Sequence, residues 1–359
     1  MTHPALHTAL CELTEVEYPI VQTGMGWVAS AGLVAGTANA GGLGIIASAT
    51  MDLPELEHAI AETKDRTDRP FGVNLLSDAP DVFERAELMV REGVKVASFA
   101  LAPSEKLMKQ LKDAGLVCIP SIGARRHAEK VAGWGADAVI VQGGEAGGHT
   151  GAVPTSVLLP QVVDAVDIPV IGAGGFFDGR GLVAALAYGA AGIAMGTRFL
   201  LTRDSPVPDA IKQAYLEAKV TDTVVTTQVD GVPHRVLRTP FIEKLLRATP
   251  LTSLPRAATN ALRLQRLLGK PWSELLREAI SMKRTQELTW SQVVMAANTP
   301  MLLKASMVDG NTDSGVMASG QVAGLLDDLP SCKELVERIV HEATEVLQRL
   351  EAGSPGAHG

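Results

Sequence analysis

Residues 135–151 read Gly-Ala-Asp-Ala-Val-Ile-Val-Gln-Gly-Gly-Glu-Ala-Gly-Gly-His-Thr-Gly, an apolar strand that empties into a glycine-dense loop carrying one imidazole, His149. Glycines let the backbone approach a flat ligand closely, and histidine titrates near neutrality, so His149 can take a proton from an activated carbon at working pH. A structural histidine that bonds its own loop is the competing reading. Two later segments, Pro169-Val-Ile-Gly-Ala-Gly-Gly175 and Gly192-Ile-Ala-Met-Gly-Thr-Arg-Phe199, again run from a short buried strand into small residues. A phosphate held by backbone N–H groups needs such residues, and Gly172, Gly174, Gly175, Gly196 and Thr197 meet that need. Each glycine alone fits a tight strand-to-helix turn equally well. Their coincidence after adjacent strands points to one phosphate-bearing cofactor.

Asn74 ends the strand Phe71-Gly-Val-Asn and Gln142 ends the strand within 135–151, where their amides suit a heterocycle edge or, equally, a tie between loops. Gln22 and Met25 follow the first strand and are placed to meet a planar ring, although methionine also fills cores. The chain has no phosphate-binding Gly-x-x-x-x-Gly-Lys motif, and Gly24-x-Gly26 lacks the remainder of a dinucleotide fingerprint. Glu145 and His149 lack a His-Glu-x-x-His frame, so no metal is expected. His3, His7 and His358 lie near the ends, and His58, His127 and His341 fall in helical patterns. From Arg235 to Arg284 eleven Lys or Arg face three Glu, making that segment +8 and the rest −16. There Arg256, Arg263 and Arg266 fall within about 80° of one another on a helix, a stripe suited to the phosphates of coenzyme A or to plain solvation. Arg198 and Lys304 are open to a phosphate or to an ion pair.

The elements that must position these groups follow a regular rhythm. Val- and Ile-rich runs alternate with amphipathic segments, and strands are predicted at Ile20–Gln22, Gly44–Ala47, Phe71–Leu75, Val94–Phe99, Val117–Pro120, Ala138–Gln142, Val170–Gly172 and Gly192–Met195. Eight strands with intervening helices predict an α/β fold, a TIM (β/α)8 barrel whose ligand site lies at the C-terminal strand ends. After Phe199 prolines interrupt the rhythm, which predicts a helical insertion or lid after strand 8. The expected organisation is a barrel core with the cofactor site over 1–199, the lid over 200–284, a helical return packing on the barrel over 285–352 and a disordered tail over 353–359. Ser331 with Glu334 predicts a capping box for a closing helix.

Bulk properties narrow the function. The formal charge of −8 argues against a nucleic-acid binder. The cysteines, Cys11, Cys118 and Cys332, are far apart and form no framework or Cys-x-x-Cys pair. No leader-like start or membrane-length apolar run occurs, and a cytoplasmic location is expected.

In the 135–151 segment the chain resembles the nitronate monooxygenase (2-nitropropane dioxygenase) family of FMN-dependent TIM barrels. Val21-Gln-Thr-Gly-Met25, Gly72-Val-Asn74, Pro169–Gly175, Met195-Gly-Thr-Arg198 and Ser319-Gly-Gln-Val-Ala-Gly324 extend the likeness over most of the chain. The resemblance implies FMN as cofactor and His149 at the catalytic-base position. It also implies Asn74, Gln142, Gly174, Gly175, Gly196 and Thr197 where FMN is held, with Gln321 approaching the flavin. Gln22, Thr23, Gly24, Met25, Gly147, Gly148 and Gly172 complete the expected cofactor contacts. Many nitronate-oxidising members read Ala-Pro-Met after the first strand, whereas Thr23-Gly24 precedes Met25 here. Ala97–Pro103, Gly174–Gly181, Asp230-Gly-Val-Pro-His-Arg-Val-Leu-Arg238 and Leu288-Thr-Trp-Ser-Gln292 resemble the branch that acts on the coenzyme A thioester of the last two steroid rings. The implied activity is desaturation of a bicyclic steroid-derived acyl-CoA next to its thioester. Nitronate monooxygenation with O2, enoyl-thioester reduction and a non-catalytic flavin-binding barrel stand as alternatives. The expected partner is a CoA thioester, with neither nucleic acid nor membrane, and the subunit count is open, a homo-oligomer included.

Overall fold

The computed structural model describes residues 2–100, 102–247 and 290–353, with backbone alone for 290–298. Eight parallel strands close into a barrel: β1 (Ile20–Gln22), β2 (Leu43–Ala47), β3 (Gly72–Leu75), β4 (Val96–Phe99), β5 (Val117–Ile122), β6 (Val139–Gln142), β8 (Val170–Ala173) and β9 (Gly192–Met195). Between β6 and β8 the chain adds β7 (Gly148–His149), which belongs to another sheet. The (β/α)8 expectation holds, and each barrel strand overlaps its predicted run. Closure comes from β1 pairing with β9 in register Val21↔Ala194. Amphipathic helices separate the strands, among them Leu53–Arg66, Val82–Arg91 and Thr155–Val163. Helix Val82–Arg91 stops just before Gly93, whose φ of 67 is the left-handed turn that glycine adopts at little cost.

Barrel strands send alternate residues inward, and here those residues form one buried cluster. Val21, Leu43, Ile45, Val96, Val117, Ile119, Ala138, Ile140, Ile171, Ala173 and Ala194 fill the interior together with Leu10 and Cys11 from the N-terminal helix Ala9–Thr14. A barrel filled by its own side chains leaves its C-terminal strand ends for a ligand. The closing helix Cys332–Glu351 begins with the expected capping box: Ser331 Oγ accepts from Glu334 N at 3.2 Å, and Glu334 Oε2 accepts from Ser331 N at 2.7 Å.

The chain divides into two compact units. The barrel unit comprises Met1–Ala146, Gly151–Pro206 and Leu326–Gly359, and the second comprises Gly147–Thr150 and Val207–Leu325. The second unit is built on an antiparallel sheet in the order β10 (Thr223–Thr226), β11 (His234–Leu237), β7. Val229, Val236, Ile242 and Val316 form its buried cluster. It also contains helices Pro240–Leu246 and Trp290–Met307 and a short 3-10 turn at Gln321–Leu325. No helix among the described residues is long and apolar enough to cross a membrane.

Candidate active site

Continuing the inward alternation one step past the apolar cluster gives Thr23, Asn74, Ser98, Gln142, Gly175 and Gly196 at the C-terminal rim of the barrel. The strands therefore change from hydrocarbon to polar or small residues where a TIM barrel presents its ligand site. Asn74 Nδ2 donates to Ser98 Oγ at 3.2 Å, and Ser48 Oγ donates to the Asn74 carbonyl at 2.7 Å, fixing the end of β3. A Cβ on Gly24 would stand 2.5 Å from Asn74 Cβ, so only glycine allows the loop after β1 to pass there. A Cβ on Gly196 would stand 3.3 Å from Met25 Sδ and 3.3 Å from Thr23 Oγ1. Thr23, Gly24, Met25, Asn74 and Gly196 are thus brought together.

A second group forms after β6 and β8. Gly174 and Gly175 have φ of 98 and 84, left-handed values that a residue with a Cβ rarely adopts. A Cβ on Gly174 would lie 3.1 Å from Ala146 N and 3.2 Å from the Gly143 carbonyl. Glu145 is a loop tie: its Oε2 accepts from Thr155 N at 2.8 Å and Thr155 Oγ1 at 2.7 Å, holding the first turn of helix Thr155–Val163. In the loop after β1, Trp27 has φ of 65, and its indole N–H is buried without a partner. A bulky residue held at positive φ is backbone strain of the sort found around ligand sites.

Two residues expected among the cofactor contacts are out of phase with the inward set. Gln22 is one residue out of phase with the inward set and fully buried. Its Nε2 donates to the carbonyls of Ile45, at 3.3 Å, and Thr23, and its Oε1 accepts from Ile45 N at 3.3 Å, so it braces β1 against β2. Gly172 is likewise out of phase: a Cβ there would meet Leu159 Cδ2 and Phe176 Cε2 at 2.9 Å, so this glycine permits close packing outside the barrel. The two cations left open both form ion pairs. Arg198, buried, meets Asp328 at 3.0 Å, and Lys304 meets Asp309 at 2.8 Å. Arg256, Arg263 and Arg266 lie outside the described residues.

Within the second unit β7 pairs with β11 in register His234↔His149, so two imidazoles face each other across one ladder. Between them stands Asp230, whose Oδ2 meets His149 Nε2 at 2.6 Å and His234 Nδ1 at 3.0 Å. The other oxygen, Oδ1, accepts from Val232 N at 3.3 Å. The Asp230 and His234 side chains are only 6% and 4% exposed, whereas that of His149 is 65% exposed, so one ring is presented and the groups behind it are enclosed. Burial pushes the Asp230 carboxyl up, but hydrogen bonds from His149 and His234 and their charges outweigh it and hold the group well below the usual carboxylate range. An ionised carboxylate only accepts, so each imidazole is met through an N–H. This is the arrangement by which a carboxylate fixes the tautomer of a general base. The polar atoms of the three residues lie within 4.8 Å of one another. Their direct N···O contacts describe a hydrogen-bonded chain.

Gly148 precedes His149 with φ of 74, and a Cβ on Gly147 would lie 2.5 Å from Gly320 N, so both glycines set the path of β7. Gln321 follows that contact point at the start of its 3-10 turn. Asp230 and His234 were not among the residues singled out for chemistry. The signal available was their Asp-x-x-x-His spacing inside 230–238, and recognising its use requires knowing that β11 pairs with β7.

The nitronate monooxygenase family model matches residues 7–342. A protein of Mycobacterium tuberculosis, named (3aS,4S,5R,7aS)-5-hydroxy-7a-methyl-1-oxo-octahydro-1H-indene-4-carboxyl-CoA dehydrogenase, is 63% identical over 97% of this chain and 99% of its own. A protein of the same name from Rhodococcus jostii is 60% identical over 97% of this chain and 98% of its own. Among solved structures, FabK from Thermotoga maritima superposes with a TM-score of 0.79 at 35% identity, covering 96% of this chain and 99% of that one. Nitroalkane oxidase from Streptomyces ansochromogenes gives 0.76 at 26% identity, covering 96% of this chain and 100% of that one. The chain belongs to the nitronate monooxygenase family and is an oxidoreductase.

Proposed function

We propose that this protein is an FMN-dependent dehydrogenase that introduces a double bond next to the thioester of a bicyclic, steroid-derived acyl-CoA, with His149 as the base. The observation that carries the reading is the exposed His149 imidazole bonded through Nε2 to the enclosed Asp230 carboxylate at 2.6 Å. The substrate class comes from the indene-carboxyl-CoA dehydrogenases that share 63% and 60% of their residues with this chain.

A thioester acidifies the carbon beside it, so a neutral imidazole suffices as base near neutral pH. With Nε2–H donated to Asp230, the nitrogen that accepts the proton is Nδ1. The imidazolium formed is stabilised by the adjacent carboxylate, as in other His–Asp pairs. The barrel rim fits a flavin mononucleotide. The left-handed Gly174 and Gly175, with Gly196, offer backbone without Cβ atoms where a phosphate needs close approach, and the orphaned Trp27 indole N–H suits a ligand acceptor. Gly174, Gly175, Gly196 and Thr197 would hold the phosphate, while Asn74 and Gln142 would face the ring edge and Thr23, Gly24 and Met25 its underside. Bound FMN supplies the two-electron acceptor for the hydride that leaves the neighbouring carbon. Arg256, Arg263 and Arg266, in the segment read as a lid, would pair with CoA phosphates.

Membership of the family favours nitronate oxidation as the second reading. The two separate when protein reconstituted with FMN is given propionate-3-nitronate in air and, anaerobically, the indene-carboxyl-CoA named for the relatives. Bleaching of the flavin band by the thioester, with slow oxygen uptake on the nitronate, is expected. Rapid oxygen uptake on the nitronate with the thioester inert would overturn the proposal.

A further inference from the structure

We infer that His234 is a positioning residue for the base: by sharing Asp230 Oδ2 with His149 it holds that oxygen in place and so sets which nitrogen of His149 accepts the proton. This rests on the reading of His149 as the base.

The geometry leaves His234 one consistent tautomer. Its Nε2 is buried with no partner, so a proton placed there would be an unsatisfied donor, whereas a proton on Nδ1 donates to Asp230 Oδ2 at 3.0 Å. With His234 donating, the carboxylate is anchored from behind through Oδ2 and from the side by Val232 N at 3.3 Å. Its remaining direction on Oδ2 is the one occupied by His149 Nε2 at 2.6 Å. The rings are tilted by 59° with centroids 4.8 Å apart, so they converge on the oxygen and do not stack. The register reinforces this: His149 and His234 are directly paired residues of adjacent strands, a fixed separation that no side-chain rotamer has to find. On the other flank His234 is paired with Thr226, which is uncharged. The neighbouring cation, Arg235, lies on the opposite face of β11 and donates to Thr223 Oγ1 at 3.0 Å. Among the described residues, the titratable groups in contact with His234 are thus Asp230, from the turn between β10 and β11, and His149.

The test compares His234→Leu, which removes the donor, with His234→Asn, whose amide N–H can stand near the Nδ1 position. The rate of flavin reduction by the indene-carboxyl-CoA is measured against pH in the FMN-loaded protein. His234→Leu is expected to slow reduction by about 10- to 100-fold with the dissociation constant of the thioester unchanged, the fold-change of one lost hydrogen bond to a charged group. The acid limb of its profile should move up, because the Asp230 carboxylate, short of a donor, presents more charge to the imidazolium that protonation of the base produces. His234→Asn should recover most of the rate and the original limb. A readout independent of turnover, and of whether the Leu variant folds, is the nitrogen-15 NMR spectrum of the wild-type protein with labelled histidine: His234 should carry its proton on Nδ1 and His149 on Nε2. A proton on Nε2 of His234, or a Leu variant with unaltered rate and acid limb, would overturn the inference. If instead His149→Ala reduces flavin at the wild-type rate, the assignment of the base itself falls. Loss in His149→Ala with no change in His234→Leu removes the role of His234 alone.

Discussion

Replacing Asp230 by Asn probes the proton-transfer machinery with almost no change in shape. The carboxylate is enclosed and accepts from two ring nitrogens on Oδ2 and from Val232 N on Oδ1. An amide cannot satisfy all three. With its oxygen towards the rings, the NH2 group faces the Val232 N–H at 3.3 Å, donor against donor. With its nitrogen towards the rings, His149 must turn a lone pair at Nε2 to it and carry its proton on Nδ1, the atom that has to accept. Either way charge-assisted bonds become neutral or unmade, and the imidazolium loses its counter-charge. The expected loss is about 10²–10⁴ in the rate of flavin reduction, equivalent to about 3–5 kcal/mol in the barrier. Anaerobic stopped-flow mixing with the indene-carboxyl-CoA measures it. A rate within about threefold of wild type would refute the proposed base mechanism. The same variant carries a pH signature. The folded-state Asp230 carboxyl lies below its unfolded value, so its stabilisation is full above the ordinary carboxylate range and is lost as pH falls through that range towards the folded value. The stability gap between wild type and Asp230→Asn in urea unfolding should therefore be full at neutral pH and shrink below about pH 4.

Gly24→Ala places a Cβ 2.5 Å from Asn74 Cβ, so the β1 loop must shift and FMN affinity should fall, read by equilibrium dialysis of the flavin; unchanged affinity would remove this loop from the cofactor site. Arg198→Met breaks the enclosed pair with Asp328, yet Asp328 keeps Arg338 at 2.7 Å, so the unfolding free energy should drop by about 1.5–3 kcal/mol, less than for a stranded buried charge. Burial pushes Cys118 and Cys332 up to about 12 and raises Cys11, so no thiol should react quickly with a disulfide reagent near pH 8 until denaturant is added.

The sequence carried the barrel because parallel buried strands announce themselves locally, as β-branched runs such as Val139–Gln142 closed by glycine. Within those strands the alternation was also legible in principle. It separates Thr23 and Asn74, which face the rim, from Gln22, which is one step out of phase and spans to Ile45. The polarity of Gln22 alone did not report this bridging role, which its parity does. The second sheet was hidden for a different reason. β7 is two residues long and sits in a glycine loop, and its partner β11 lies in a proline-interrupted segment far along the chain. No local pattern reports such a pairing, so His149 was found from its loop while Asp230 and His234, which give it orientation, were not.

Transfer of electrons from an acyl-CoA thioester to a flavin held by this chain can be followed by adding the indene-carboxyl-CoA in stoichiometric steps to the FMN-loaded protein under argon and recording the flavin absorbance. The yellow band should bleach in proportion to thioester added, and persist in His149→Ala. A band that survives excess thioester in the wild-type protein would contradict it.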